Sequence, residues 1–244
     1  MRALLRWLLL LACAFAALQL FFVLRIALMA VLAPESTSFQ RSQAWSLVRA
    51  DGKLAWRQQW VAYDQISDHL KRAVIAAEDD GFARHEGVEW GAMEKAWERN
   101  ARAEAQANRA QARAPDRPVR APKIRGGSTI TQQLAKNLLL SGERTLLRKG
   151  QEFVLTLALE QLLPKQRTLE IYLNNVEWGE GVFGAEAAAQ HYFRKSASKL
   201  SAAEAARLAV MLPAPKRFEK TPGSAYLAGR TRTILGRMGS AELP

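Results

Sequence analysis

The chain has 244 residues, 49% of them apolar, and 35 Lys and Arg against 23 Asp and Glu give a formal net charge of +12. That length suits one well-packed domain plus an anchor, and so positive a charge favours anionic partners: nucleic acid, phospholipid headgroups or a phosphorylated substrate. A lone cysteine, Cys13, excludes an intrachain disulfide. His69, His85 and His191 are widely spaced, with neither an HExxH run nor a Cys/His cluster, which argues against a transition-metal site.

An apolar run from Leu8 to Leu24, broken only by Gln19, resumes after Arg25 and reaches Ala33. It exceeds the ~20 residues needed to cross the hydrocarbon core and the ~7–15 of a cleaved signal peptide. Residues 1–33 therefore read as a cytoplasmic tip and an uncleaved transmembrane signal anchor, with Arg2 and Arg6 holding the N-terminus in the cytoplasm. Arg25 is expected to snorkel to the outer interface. A basic nucleic-acid binder is disfavoured, because everything chemically distinctive lies beyond this anchor.

Residues 34–66 read as a polar linker and membrane-proximal segment, extended in its second half, with Asp51-Gly52 as the turn of a hairpin. From residue 67 to 244 the pattern is mostly helical, without internal repeats. Ser67 caps a helix with Leu70, Ala73, Val74 and Ala77 on one face, ending at Glu78 before the turn at Gly81. Trp90 to Arg113 reads as a second helix. The stretch from about 101 to 123 becomes Ala/Arg/Pro-rich and reads as a mobile insertion. Helical pattern resumes at Thr129–Leu140. Lys149–Leu163, apolar nearly all round, predicts a core helix, and Pro164 opens another. Gly179, Gly181 and Gly184 mark turns. Three helices close the chain, near Ala185–Tyr192, Ser201–Met211 and Tyr226–Met238.

Two dense motifs carry the chemistry. In EDDGFARHEG, Glu78 and Asp79 end a helix, where carboxylates are electrostatically disfavoured. They are either solvated acids at a turn or a pair kept for chemistry. A carboxylate part-buried against Phe82 would have a raised pKa, which suits a general base. GGSTITQQLAKN, Gly126–Asn137, sets Ser128, Thr129, Thr131, Gln132, Gln133, Lys136 and Asn137 around a helix start. Capping and anion binding are compatible there, and the spacing is not that of a Walker loop. Arg148, Lys149 and Glu152 form a third cluster, either a surface ion pair or a diphosphate clamp with an orienting carboxylate. The leucines of KNLLLSGERTLL are core, or a surface dipping into lipid headgroups. SASK, Ser196–Lys199, matches SxxK but lacks the accompanying SxN and KTG runs.

With these residues in place, the chain resembles the peptidoglycan glycosyltransferases of lysozyme-like fold, in their monofunctional, membrane-anchored form. EDxxFxxHxG is matched by Glu78, Asp79, Phe82, His85 and Gly87; GxSTxxQQxxKN from Gly126 to Asn137; and RKxxE by Arg148, Lys149 and Glu152. A fourth block runs from Leu163 to Phe193 and includes Lys165, Glu170, Tyr172 and Asn174; a fifth covers Arg230–Met238. The resemblance spans about 60 to 240. It implies a mainly α, lysozyme-like glycosyltransferase domain that polymerises lipid II on the periplasmic side of the bacterial inner membrane. Glu78 would match the general base and Glu152 the second essential carboxylate. Lys136, Arg148 and Lys149 would stabilise the diphosphate. Asp79, Phe82, His85, Ser128, Thr129, Gln132, Gln133 and Asn137 would bind substrate. No obligatory cofactor is implied, although Mg2+ or Mn2+ assists the diphosphate in some members. Implied partners are lipid II, nascent glycan, membrane lipids and other cell-wall synthesis and division proteins. No transpeptidase pattern follows, so peptide crosslinking is not expected. The competing readings are a lysozyme-like hydrolase, which would use one protonated carboxylate, and a non-catalytic scaffold.

Overall fold

A computed structural model describes residues 2–52, 54–113, 127–143 and 145–244, apart from the side chain of Asp51. Helix α1 (Arg2–Leu28) is long and apolar enough to cross a membrane. It does not stand apart from the rest. Gln19 and Gln151 exchange amide hydrogen bonds, Gln19 Nε2 donating to Gln151 Oε1 at 3.1 Å and Gln151 Nε2 to Gln19 Oε1 at 2.9 Å. Each amide thus donates to and accepts from the other across a part-buried contact. At the far end, Arg167 donates to the carbonyls of Met29 (2.8 Å) and Leu32 (2.9 Å), placing a cation where a helix terminus has unsatisfied oxygens.

A helix, α2 (Ser38–Asp51), stands where an extended linker and hairpin were expected. Thr37 and Gln40 form a reciprocal capping box, and Gly52 is a left-handed C-cap (φ 64°), not a hairpin turn. Gln40 is fully buried and donates to Asn175 O (3.4 Å) and Oδ1 (3.3 Å), while Ser38 donates to Leu138 O (3.2 Å). The segment is pinned to the body of the molecule. The short strand β1 (Arg57–Gln58) follows, and α3 (Asp68–Glu78) begins under a Ser67 cap.

α4 (Trp90–Arg113) has the bounds read from sequence. Of the expected insertion, residues 114–123 lie outside those described, as does Gly126. α5 (Ile130–Leu139) and α6 (Leu146–Leu162) pack together beside the anchor. α7 (Lys165–Asn175) leads into β2 (Glu177–Gly179) and β3 (Val182–Phe183), which pair antiparallel across a bulge; β1 joins β3 in parallel, giving the order β1-β3-β2. α8 (Ala185–Phe193), α9 (Ala202–Met211), the short α10 (Pro215–Glu219) and α11 (Ala225–Arg237) complete the chain.

The core centres on α3, α9 and α11 and is continued by α5 and α7. Trp178, Tyr172, Phe82 and Phe183 are its largest fully buried side chains, each contributing about 1.5–3 kcal/mol of burial or more. α6 departs from expectation. Leu155 and Leu159 are buried, but Val154, Leu157 and Leu162 are 48%, 41% and 37% exposed. A helix apolar all round need not be core if part of its surface meets lipid.

Candidate active site

α3 presents Glu78 at its C-terminal end, and the next residue explains why the chain turns there. The buried Asp79 carboxylate accepts from His85 Nε2 at 2.8 Å (Oδ1) and 3.0 Å (Oδ2), and from the backbone N–H of Ile130 at 2.9 Å. Gly87 N–H donates to His85 Nδ1 (3.1 Å), so Nε2 carries the ring proton. Ile130 is the first residue of α5, so an anionic side chain from the end of one helix satisfies an orphan donor at the start of another. Thr129 finishes the junction. Its hydroxyl donates to Gly87 O (2.6 Å) and caps α5 in a box with Gln132. Gly87 has φ +81°, and a Cβ there would lie 2.6 Å from Glu160 Cγ. Both the conformation and the space demand glycine.

Glu78 is thereby held against α5. Gln133 Nε2 donates to Glu78 Oε2 (2.9 Å), and Gln133 Oε1 accepts from the Tyr172 hydroxyl (3.0 Å). The Tyr172 hydroxyl holds its proton, because burial pushes its pKa well above the ordinary value. It therefore fixes the Gln133 amide with its NH2 toward the carboxylate. Burial raises the Glu78 pKa, and the Asp79 charge raises it further; the Gln133 hydrogen bond and the Lys136 charge oppose the rise.

α5 forms the floor of a cleft of about 820 Å3. Ser128, Gln132, Gln133, Lys136 and Asn137 line it from α5 and the approach to it, and Arg148, Lys149 and Glu152 from the start of α6. Glu152 is buried and holds both cations: Arg148 Nη1 donates at 2.7 Å, and Lys149 Nζ to the other oxygen. Arg148 Nε is buried without a hydrogen-bond partner among the described residues, a donor left over beside the cleft.

Eight of the expected site residues thus meet in one cleft, with Glu78 joined to it through Gln133. Besides Glu78, four do not line it. Asp79, Phe82, His85 and Thr129, expected at the substrate, turn inward. Asp79, His85 and Thr129 hydrogen-bond within the helix junction, and Phe82 is fully buried with Lys165 Nζ 4.6 Å from its ring centre. Their place in the motif follows from holding Glu78 and α5 together. Sequence reasoning missed the opposite wall: Ser38, Phe39, Arg41, Ser42 and Gln43 of α2, and Glu177 of β2. The Thr37-x-x-Gln40 capping box was the available signal for α2. Glu177 had none, since only the tertiary fold brings it to the cleft. Burial raises its pKa, and Lys216 at 3.3 Å opposes the rise.

Among the described residues no three His, Cys, Asp or Glu side chains converge, and Asp79 and Glu152 are engaged by protein donors.

A buried-helix scaffold with an acidic group of raised pKa joined through Gln133 to a cation-lined cleft, beside an apolar helix long enough to cross a membrane, defines the class. The family described as Transglycosylase matches residues 47–239, and the chain belongs to it. Among individual proteins, it is 52% identical to the biosynthetic peptidoglycan transglycosylase of Paraburkholderia xenovorans (strain LB400) over 96% of this chain and 90% of that one. The protein of the same name from Herminiimonas arsenicoxydans is 51% identical over 100% and 99% of the two chains. That of Burkholderia pseudomallei (strain K96243) is 52% identical over 95% and 84%.

Proposed function

We propose that this protein is a membrane-anchored peptidoglycan transglycosylase that polymerises glycan from lipid II. The observation that carries the reading is that Gln133, which holds Glu78 and is itself held by Tyr172, lines the same cleft as the Glu152-held cations.

Glu78 takes the proton from the 4-hydroxyl of the acceptor sugar, and that oxygen attacks the anomeric carbon of the growing chain. The bond from the anomeric carbon to the diphosphate breaks, and its electron pair leaves on the diphosphate oxygen. Attack from the opposite face inverts the centre and leaves a β-1,4 bond. A raised pKa serves this step, because the base must be ionised yet strong enough to draw the proton. Lys136, Arg148 and Lys149 meet the charge that builds on the leaving diphosphate, and Glu152 holds Arg148 and Lys149 in place beforehand. Arg148 Nε, unpartnered among the described residues, is a further donor for that anion.

A lipid-linked substrate requires a site at the membrane surface. The Gln19–Gln151 pair sets the start of α6, and with it the cation cluster, alongside the anchor. Leu146 and Leu147, 91% and 88% exposed next to Arg148, supply apolar surface at the same level. We place the N-terminus in the cytoplasm and the catalytic domain on the outer face of the inner membrane, with nascent glycan and other wall-synthesis and division proteins as partners.

Fluorescent lipid II incubated with the detergent-solubilised protein is expected to give a ladder of long products that a muramidase degrades. Intact lipid II, under conditions where a control polymerase works, overturns the reading. Shortening of preformed glycan would instead identify a hydrolase.

A further inference from the structure

A second groove, of about 370 Å3, opens from the first. The two share Ser128, Gln132 and Lys149, and beyond those residues the new groove is lined chiefly by Met93, Ala96 and Trp97 of α4. Gly127 lets α4 come this close, since a Cβ there would lie 3.1 Å from Ala92 O and from Met93 Cα.

We propose that this groove seats the first isoprene units of the substrate's polyprenyl chain, a refinement that rests on the transglycosylase reading. Three features lead to that occupant. Lys149 stands at the junction with its ammonium on Glu152, so a diphosphate drawn to this cluster lies where the two grooves meet. The chain esterified to that diphosphate must leave from the same point, and the Met93–Trp97 face lines the groove that shares Lys149 with the cleft. Among the described residues α4 carries that face open: Trp90, Met93 and Trp97 are 63%, 37% and 78% exposed, and Ala96 is its only buried residue. A row of large apolar side chains left open beside a polar cleft marks a surface that gains by being covered. Finally, the junction lies at the start of α6, where exposed Leu146 and Leu147 lead on toward the bilayer in which the rest of the chain is anchored.

The groove gives the enzyme a reason to discriminate by lipid as well as by sugar. A long prenyl chain fills the Trp97 face and then enters the membrane, while a truncated one leaves that face partly wet.

The direct experiment uses the full-length protein in detergent and lipid II carrying a photoreactive diazirine on the isoprene next to the diphosphate, with labelled peptides mapped by mass spectrometry. Label on the Met93–Trp97 peptide is the expected result. Label confined to α1 or to Leu146–Leu147 overturns the proposal. Because labelling is read whether or not polymer forms, a misplaced prenyl seat and a failed polymerase reading are told apart by running native lipid II in parallel. Kinetics supply the second arm. In Trp97→Ala, the ratio of kcat/KM for undecaprenyl-linked lipid II to that for a geranyl-linked analogue is expected to fall about tenfold, the order for losing one large apolar contact. Trp97→Leu should retain most of the preference. A ratio unchanged within about twofold in Trp97→Ala, with native-like melting by circular dichroism, refutes the groove.

Discussion

Asp79 offers the sharpest energetic test, because its carboxylate ties two helices together without lining the cleft. Asparagine has nearly the same volume, so Asp79→Asn removes charge without opening a cavity. The native carboxylate serves two donors, His85 Nε2–H at 2.8 Å and the Ile130 N–H at 2.9 Å. An asparagine has one carbonyl oxygen for both, and its NH2 must face a donor. One hydrogen bond to a charged group is lost outright and the other is weakened, for a cost of about 2–4 kcal/mol. A domain of this size loses about 2–4 °C per kcal/mol, so Tm should fall by about 5–15 °C. The assay is thermal unfolding by circular dichroism in one detergent, at neutral pH and one scan rate, since unfolding of an anchored protein need not be reversible. Activity should fall as well, mainly in kcat, because Ile130 begins the helix whose Gln133 holds Glu78. A Tm within about 2 °C of the native value would refute the tie as a major source of stability.

Other substitutions probe separate parts of the account. Gln133→Ala removes the bond that favours ionised Glu78, so its pKa rises further and the acidic limb of kcat/KM should move to higher pH; an unmoved limb would assign that limb to another group. Glu78 also carries a stability signature. Its folded pKa lies above the ordinary glutamate range, so the folded state binds the proton more tightly. Its contribution therefore worsens as pH rises from that range through the raised value. Glu78→Gln should accordingly melt higher than the native protein at neutral pH, with the gap closing in acid. In Gly87→Ala the new Cβ meets Glu160 Cγ at 2.6 Å, and Glu160 cannot readily swing away because Thr131 and Lys165 hold its carboxylate. Together with the positive φ this should cost about 2–4 kcal/mol in denaturant melts. Gln40→Ala removes the return half of the α2 capping box, Thr37 N–H to Gln40 Oε1, and the bonds to Asn175, and should cost about 2–3 kcal/mol and lower activity by loosening the cleft wall; a neutral result would make α2 an accessory.

Much of the helical framework was legible because its signals are local. Ser67 caps α3, Thr129 caps α5, and Trp90–Arg113 is one helix in both readings. α2 was misread although its capping box is equally local: Asp51-Gly52 suits a hairpin turn, and only the rest of the fold shows Gly52 ending a helix. α6 shows a different limit. An all-round apolar pattern cannot distinguish side chains that meet a protein core from those that meet an anchor or lipid. Within the site, residue types were legible and roles were less so. Glu78 and Asp79 are adjacent carboxylates of similar chemistry, and only their partners separate one held at the cleft by an amide from one saturated behind it. Tyr172, which orients Gln133, is 39 positions away from it, and no spacing rule connects them.

The most direct measurement compares polymerisation of fluorescent lipid II by the native protein, Glu78→Gln and Glu152→Gln, each first shown to be folded. The account expects long glycan from the native protein, no detectable polymer from Glu78→Gln, and a severe loss in Glu152→Gln. Polymer formed by Glu78→Gln at the native rate would contradict it.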